Sequence, residues 1–181
     1  GGAVILFKYG NVIRAQRIDG SGNRLWGNNG LSFATAPDGG GAFTTTNETM
    51  RYVSGDVFVA ATASRAAAPV VTSDIWAWRR GTGNWGRVVS TPLPTSVQQS
   101  PQLHVSGASC VVLWDDNRFY NQSYINTGYG IFGLKLNSGT GAPDAAWDAD
   151  TGAGTDYNGV SIVLNHYNEF VARPLVVPYN D

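Results

Sequence analysis

An all-β fold is predicted by three features of the sequence: scarce charge, abundant turn residues and aromatics, and short apolar segments bounded by glycine. Of 181 residues only 14% are charged against the usual quarter, whereas 23 are glycine and 12% are aromatic. That balance suits short strands joined by turns rather than helices. Hydrophobic residues at 43% suffice for one ordinary core, so length alone does not demand two domains.

Three five-residue segments share one pattern of Ile, any residue, a small residue, any residue, a base. They are Ile13-Arg14-Ala15-Gln16-Arg17, Ile75-Trp76-Ala77-Trp78-Arg79 and Ile131-Phe132-Gly133-Leu134-Lys135. Each reads as a strand. Alternation puts Ile, the small residue and the base on one face, and Arg14/Gln16, Trp76/Trp78 and Phe132/Leu134 on the other. The small residue is expected to let a neighbouring sheet approach closely. A Gly-rich turn and then a tryptophan follow each strand: Asp19-Gly20-Ser21-Gly22 before Trp26, Gly81-Thr82-Gly83 before Trp85, and Asn137-Ser138-Gly139-Thr140-Gly141 before Trp147.

Ahead of each pattern lies an apolar run that reads as an inner strand buried on both faces. The runs are Gly1-Gly2-Ala3-Val4-Ile5-Leu6-Phe7, Gly55-Asp56-Val57-Phe58-Val59-Ala60 and Gly107-Ala108-Ser109-Cys110-Val111-Val112-Leu113-Trp114. A further short strand precedes the second (Met50-Arg51-Tyr52-Val53-Ser54) and the third (Pro101-Gln102-Leu103-His104-Val105-Ser106) but not the first. The segment 173–181 has the look of that missing strand, which makes the expected repeat circularly permuted. The Ile positions recur about every 55 to 65 residues, as supersecondary repeats of that period do. The expectation is one all-β repeat domain over 1–181, with four-stranded units near 1–47, 48–99 and 100–172, and 173–181 completing the first unit or a partner's.

The segment Gln16-Arg17-Ile18-Asp19-Gly20-Ser21-Gly22-Asn23-Arg24-Leu25-Trp26-Gly27-Asn28-Asn29-Gly30 resembles bacterial secreted β-propeller repeats of the delta-60 type. There a strand ending in Arg-hydrophobic-Asn/Asp precedes Gly, an aromatic and another Gly. Leu134-Lys135-Leu136-Asn137 leading to Asp144-Ala145-Ala146-Trp147 is similar to it with insertions, and Arg79-Arg80-Gly81-Thr82-Gly83-Asn84-Trp85-Gly86 is a shortened form. The resemblance implies a β-propeller-like architecture of about three four-stranded blades; a three-fold β-prism is the rival. It implies architecture alone, since such repeats serve many roles. Propellers close with about four to eight blades, so three are expected either to be a piece of a longer chain or to be completed by another polypeptide or a second copy, the latter favoured because exposed terminal strands invite pairing.

Several function classes are excluded or lack support. A formal charge of −1 with two lysines, Lys8 and Lys135, offers no surface for a phosphate backbone, so no nucleic-acid partner is expected. There is no 18-residue apolar span, and the opening residues lack the basic region and cleavage site of a signal peptide. Cys110 is the single cysteine and reads as a buried small hydrophobe, with no internal disulfide possible. Triads and zinc sites need histidine, and only His104 and His166 occur. His104 alternates with Leu103 and Val105 in a strand, and His166 lies beside Tyr167 and Asn168. Asp115-Asp116 is the best acidic pair for sugar hydrolysis, yet strand neighbours point to opposite faces. It is read instead as a turn cap with Asn117, paired with Arg118.

Three candidate sites remain. The insertion Phe119-Tyr120-Asn121-Gln122-Ser123-Tyr124-Ile125-Asn126-Thr127-Gly128-Tyr129-Gly130 combines aromatics with amides, so Tyr120, Tyr124 and Tyr129 could stack on sugars or a partner, or pack on a blade rim. Trp76 and Trp78 share a strand face, as inter-blade contacts or as a ligand platform. Asp148-x-Asp150-x-Gly152 with Asp156 resembles part of a calcium loop, lacking the third acid before the glycine and the terminal Glu. No other cofactor is indicated. Asn47-Glu48-Thr49 and Asn121-Gln122-Ser123 match the glycosylation pattern. The leading expectation is a non-catalytic structural or protein-interaction module, extracellular or at the cell surface, within a larger assembly. The alternatives are a carbohydrate-binding lectin and a sialidase-like hydrolase fragment; the latter needs Arg14, Arg17, Arg79 and Arg80 to converge.

Overall fold

The computed structural model describes residues 1–37, 39, 41–65, 73–90, 97–117 and 130–144. Among them every regular element is a strand, and the strands form three antiparallel sheets. In the first sheet β1 (Ala3–Tyr9), β2 (Val12–Ile18) and β3 (Leu31–Ser32) lie in that order. The second contains β4 (Thr44–Val53), β5 (Asp56–Ser64), β6 (Ser73–Arg80) and β7 (Trp85–Val88) in sequence order. The third contains β8 (Gln98–Ser106), β9 (Ser109–Asp116) and β10 (Gly130–Asn137). A single bridge from Leu136 to Pro143 extends the third sheet beyond β10.

Each sheet is built on a hairpin of one register. Ile13 lies opposite Lys8, Ile75 opposite Thr62, and Ile131 opposite Asp115. Two sheets add a strand before the hairpin, β4 or β8, and both strands carry a bulge of the same kind. The bulges fall between Thr46 and Thr49, and between Gln99 and Gln102, and each contains a non-glycine residue at positive φ, Asn47 (54°) or Ser100 (54°). Such a bulge locally increases strand twist at the end strand of each sheet. Among the described residues the first sheet has no strand before β1, so β1 stands at its edge.

The sheets pack face on face, which explains why β5 and β6 are apolar without alternation. In β5, Phe58 and Ala60 face one way with Ile75 and Ala77 of β6; Val57, Val59, Ala61 and Ala63 face the other way with Trp76 and Trp78. The first set joins Leu103, Cys110, Val112, Trp114, Phe132, Leu134 and Leu136 of the third sheet in one core. The second set joins Ile13 and Ala15 of the first sheet, with Phe33 and Ala36, in another. Thus Ile13/Ala15 face the second sheet and Ile75/Ala77 face the third. Ala15 and Ala77 are fully buried, and a larger side chain at either place would hold the facing sheet away. Trp76 and Trp78 each remove ~200 Å² from water, which at about 25 cal/mol/Å² corresponds to roughly 5 kcal/mol per ring before entropy is counted.

Polar clamps tie the second sheet to its neighbours. Arg79 donates to Asp56 Oδ2 at 2.6 Å and to the Ser138 and Gly139 carbonyls at 3.1 and 3.0 Å. Arg80, on the opposite face, donates to the Ser32 carbonyl at 3.2 Å and lies over the Phe33 ring. Neighbouring arginines thereby serve opposite interfaces, as strand alternation requires.

Three expectations change. The run Gly1 to Phe7 is not buried on both faces: Ile5 and Phe7 are exposed. Asp115 and Asp116 do not cap a turn, because β9 continues through them, paired with Gln99 and Gln98. Asp116 is buried, accepting from Gln98 Nε2 at 3.0 Å, while the Asn117 side chain accepts from the Val97 N–H at 2.6 Å; Arg118 lies outside the described residues. Four strands are seen in the second sheet, whereas the described residues supply three named strands to each of the others.

Candidate functional site

The first sheet offers the most distinctive open surface. Residues directly opposite in an antiparallel pair share a face, so Ala3, Ile5, Phe7 and Tyr9 of β1 lie with Val12, Arg14, Gln16 and Ile18 of β2 on the face turned away from the second sheet. Ile5 is 44%, Phe7 38% and Tyr9 75% exposed. The matching positions elsewhere are closed: Val59 and Val112, each opposite the residue three after its Ile as Ile5 is, are 0% exposed.

The polar residues of this face are turned sideways into their own sheet. Gln16 donates to the Gly27 carbonyl at 2.7 Å and accepts from the Arg17 and Trp26 N–H groups at 3.1 and 3.0 Å. Arg14 donates to the Asn29 carbonyl at 3.0 Å. Gly30 permits this return of the chain, for it holds φ +67° and an added Cβ would lie 2.2 Å from the Ala15 carbonyl oxygen. What remains facing outward is an apolar row along β1.

Across β1 from that row, between the first and second sheets, β1 and β4 border a groove of about 330 Å³ lined by Gly2, Ala3, Val4, Arg17, Met50 and Tyr52. The Arg17 guanidinium lies 5.7 Å from the Tyr52 ring centre, and Trp26 meets the same ring edge-on at 6.0 Å. At the far end of β1, Lys8 pairs with Glu48 at 2.5 Å and also donates to the Thr45 carbonyl, anchoring the strand to the bulge of β4. Burial pushes the Glu48 carboxyl up, but hydrogen bonds from Lys8 and Thr45 and the Lys8 charge outweigh it and hold the carboxyl below its ordinary value. The β1 edge can take up a strand, and the apolar row can take up a sheet.

The other candidates fall elsewhere. Trp76 and Trp78 are 1% and 0% exposed, meeting Phe43 at 4.7 and 6.2 Å between ring centres, so neither presents a ring to a ligand. Tyr120, Tyr124, Tyr129, Asp148, Asp150, Asp156, His166 and the segment 173–181 lie outside the described residues. His104 is half-buried on β8 between Leu103 and Val105. The four arginines do not converge: Arg14 and Arg17 occupy opposite faces of β2, Arg79 and Arg80 opposite faces of β6. Among the described residues no three of His, Cys, Asp and Glu come together as a metal site, and no helix is long and apolar enough to cross a membrane.

The open face carries a signal in the sequence: Arg14 and Gln16 stand where the later strands carry Trp76/Trp78 and Phe132/Leu134. A buried inter-sheet face seldom begins with two polar residues. Comparisons of the chain with protein-family models, curated proteins and solved structures find no match.

Proposed function

We propose that this protein is a non-catalytic interaction module that works outside the cytoplasm, a run of β-propeller-like blades within a larger surface or secreted assembly. The observation that carries the reading is the contrast on β1: Ile5 and Phe7 are open to solvent where Val59, Val112 and Trp114 are closed by a neighbouring sheet. An apolar sheet face beside a strand edge that is unpaired among the described residues is a site for another polypeptide, which covers the rings and takes up the edge hydrogen bonds. The common register of the three hairpins and the forward-facing Ile/Ala pairs support a repeat. The likeness of the segment Gln16 to Gly30 to bacterial secreted repeats supports the location.

The test is site-specific crosslinking in the cells that produce the protein. A photoreactive phenylalanine at Tyr9, 75% exposed, is compared with the same probe at Val97, 41% exposed. A discrete polypeptide adduct at Tyr9 and not at Val97 is expected. Equal or no adducts at the two positions would contradict the proposal.

A further inference from the structure

We infer that the open face of the first sheet receives the outer face of the third sheet from a second copy of this chain. The inference rests on the interaction-module reading above and names its partner. Inside the chain one kind of junction occurs twice. A face with Ile and a small residue at its centre, Ile13/Ala15 or Ile75/Ala77, lies on a face of larger apolar residues, Trp76/Trp78 with Val59 or Phe132/Leu134 with Val112.

Both halves of a third such junction are present. The receiving half is the row Ile5, Phe7 and Tyr9, at the register positions of Val59, Ala61 and Ala63. The delivering half is the side of the third sheet that does not face the second. There Gly133 lies opposite Leu113 and Lys135 opposite Val111, at the register positions of Ala77 with Ala60 and Arg79 with Phe58. Leu113 and Val111 are half-buried. In the first two junctions the central small residue is alanine, facing aromatic or branched rows; here glycine would face Ile5 and Phe7.

The two halves differ in shape, so one cannot pair with itself. A heterologous contact of this kind either closes under rotation or propagates. Two copies of three sheets make six, within the range of about four to eight in which propeller rings close, and a two-fold axis then forms the junction twice. Gln16 and one nitrogen of Arg14 are already hydrogen-bonded to the carbonyls of Gly27 and Asn29, so covering the face does not cost those two bonds.

Sedimentation of the intact chain over a wide concentration range tests this, with Phe7→Glu on one face and Leu113→Lys on the other. Tyr9→Glu, at a mostly exposed position, repeats the first test without touching the core, and tryptophan emission reports whether each variant is folded. Wild type is expected to form a dimer, and each variant alone to associate at least tenfold more weakly. A mixture of Phe7→Glu with Leu113→Lys should regain one-to-one pairing, since each supplies the face the other lacks. A wild type that stays monomeric overturns the inference, as does a dimer indifferent to either folded variant or a mixture that does not pair. If the Tyr9 adduct then contains a different polypeptide, the interaction reading stands and the second copy does not; if there is no adduct, both fall.

Discussion

Trp85 of the second sheet donates its indole N–H to the Ser138 carbonyl of the third at 2.9 Å, and the same carbonyl accepts from Arg79 at 3.1 Å. The turn after β10 is thus held by the strand and the tryptophan that follow one another in the preceding sheet. Gly141, at φ +72°, lies so close that an added Cβ would stand 2.8 Å from the Trp85 ring. Trp85→Phe keeps most of the ring contact and loses the bond, so it should cost about 1 kcal/mol. Gly141→Ala combines a disfavoured φ with a clash and should cost more, about 2 kcal/mol, read as a lower urea midpoint.

Asp56 supports a second prediction, on pH. Its burial raises the carboxyl, but hydrogen bonds from Arg79 and from the Thr82 N–H and hydroxyl outweigh this and hold it below its usual 3.8. A folded-state value below the unfolded one stabilises above the unfolded value and is lost as pH falls through the folded one. Wild type should therefore lose stability more steeply than Asp56→Asn as pH falls from about 5 to 2, followed by chemical denaturation. At neutral pH, Asp56→Ala leaves the Arg79 cation without its partner and should cost about 3 kcal/mol.

Trp78 is a core residue rather than a ligand platform in this arrangement. Its ring is fully buried and its N–H is bonded to the Thr35 carbonyl at 3.0 Å. Trp78→Ala should destabilise the fold by about 3 to 5 kcal/mol through the cavity it leaves. Calorimetry would show this as a large fall in Tm.

Cys110 should be chemically silent in the native state. Burial pushes its thiol up to about 12, and the side chain is fully enclosed between the second and third sheets. A thiol reagent at neutral pH should react only at the rate at which the chain opens, and promptly in denaturant. Rapid native-state labelling would place Cys110 outside the core.

Much of the fold is legible in the sequence because a strand states its two faces through alternation. Ile13, Ile75 and Ile131 mark the second strand of each hairpin, and they share one register opposite Lys8, Thr62 and Asp115 although the connecting segments differ in length. Less legible is which neighbour each face meets, since Ile75/Ala77 and Trp76/Trp78 are equally apolar and only tertiary structure separates them. The polar Thr44-Thr45-Thr46 start of β4 escapes notice because threonine serves turns and strands alike. The bulges at Asn47 and Ser100 carry no glycine to announce positive φ. The open face of β1 was visible only as a contrast, Arg14 and Gln16 against tryptophans.

The sheets stack in one direction, with Ile13/Ala15 laid onto the second sheet and Ile75/Ala77 onto the third. Methyl NOEs from Ala15 and Ala77 read this stacking without an intermediary. Ala15 should see the Trp76 or Trp78 indole, and Ala77 the methyls of Leu134 or Val112. Ala77 contacts to Ile13 or Ala15 of the first sheet, with none to the third, would reverse the order of faces and rule this stacking out.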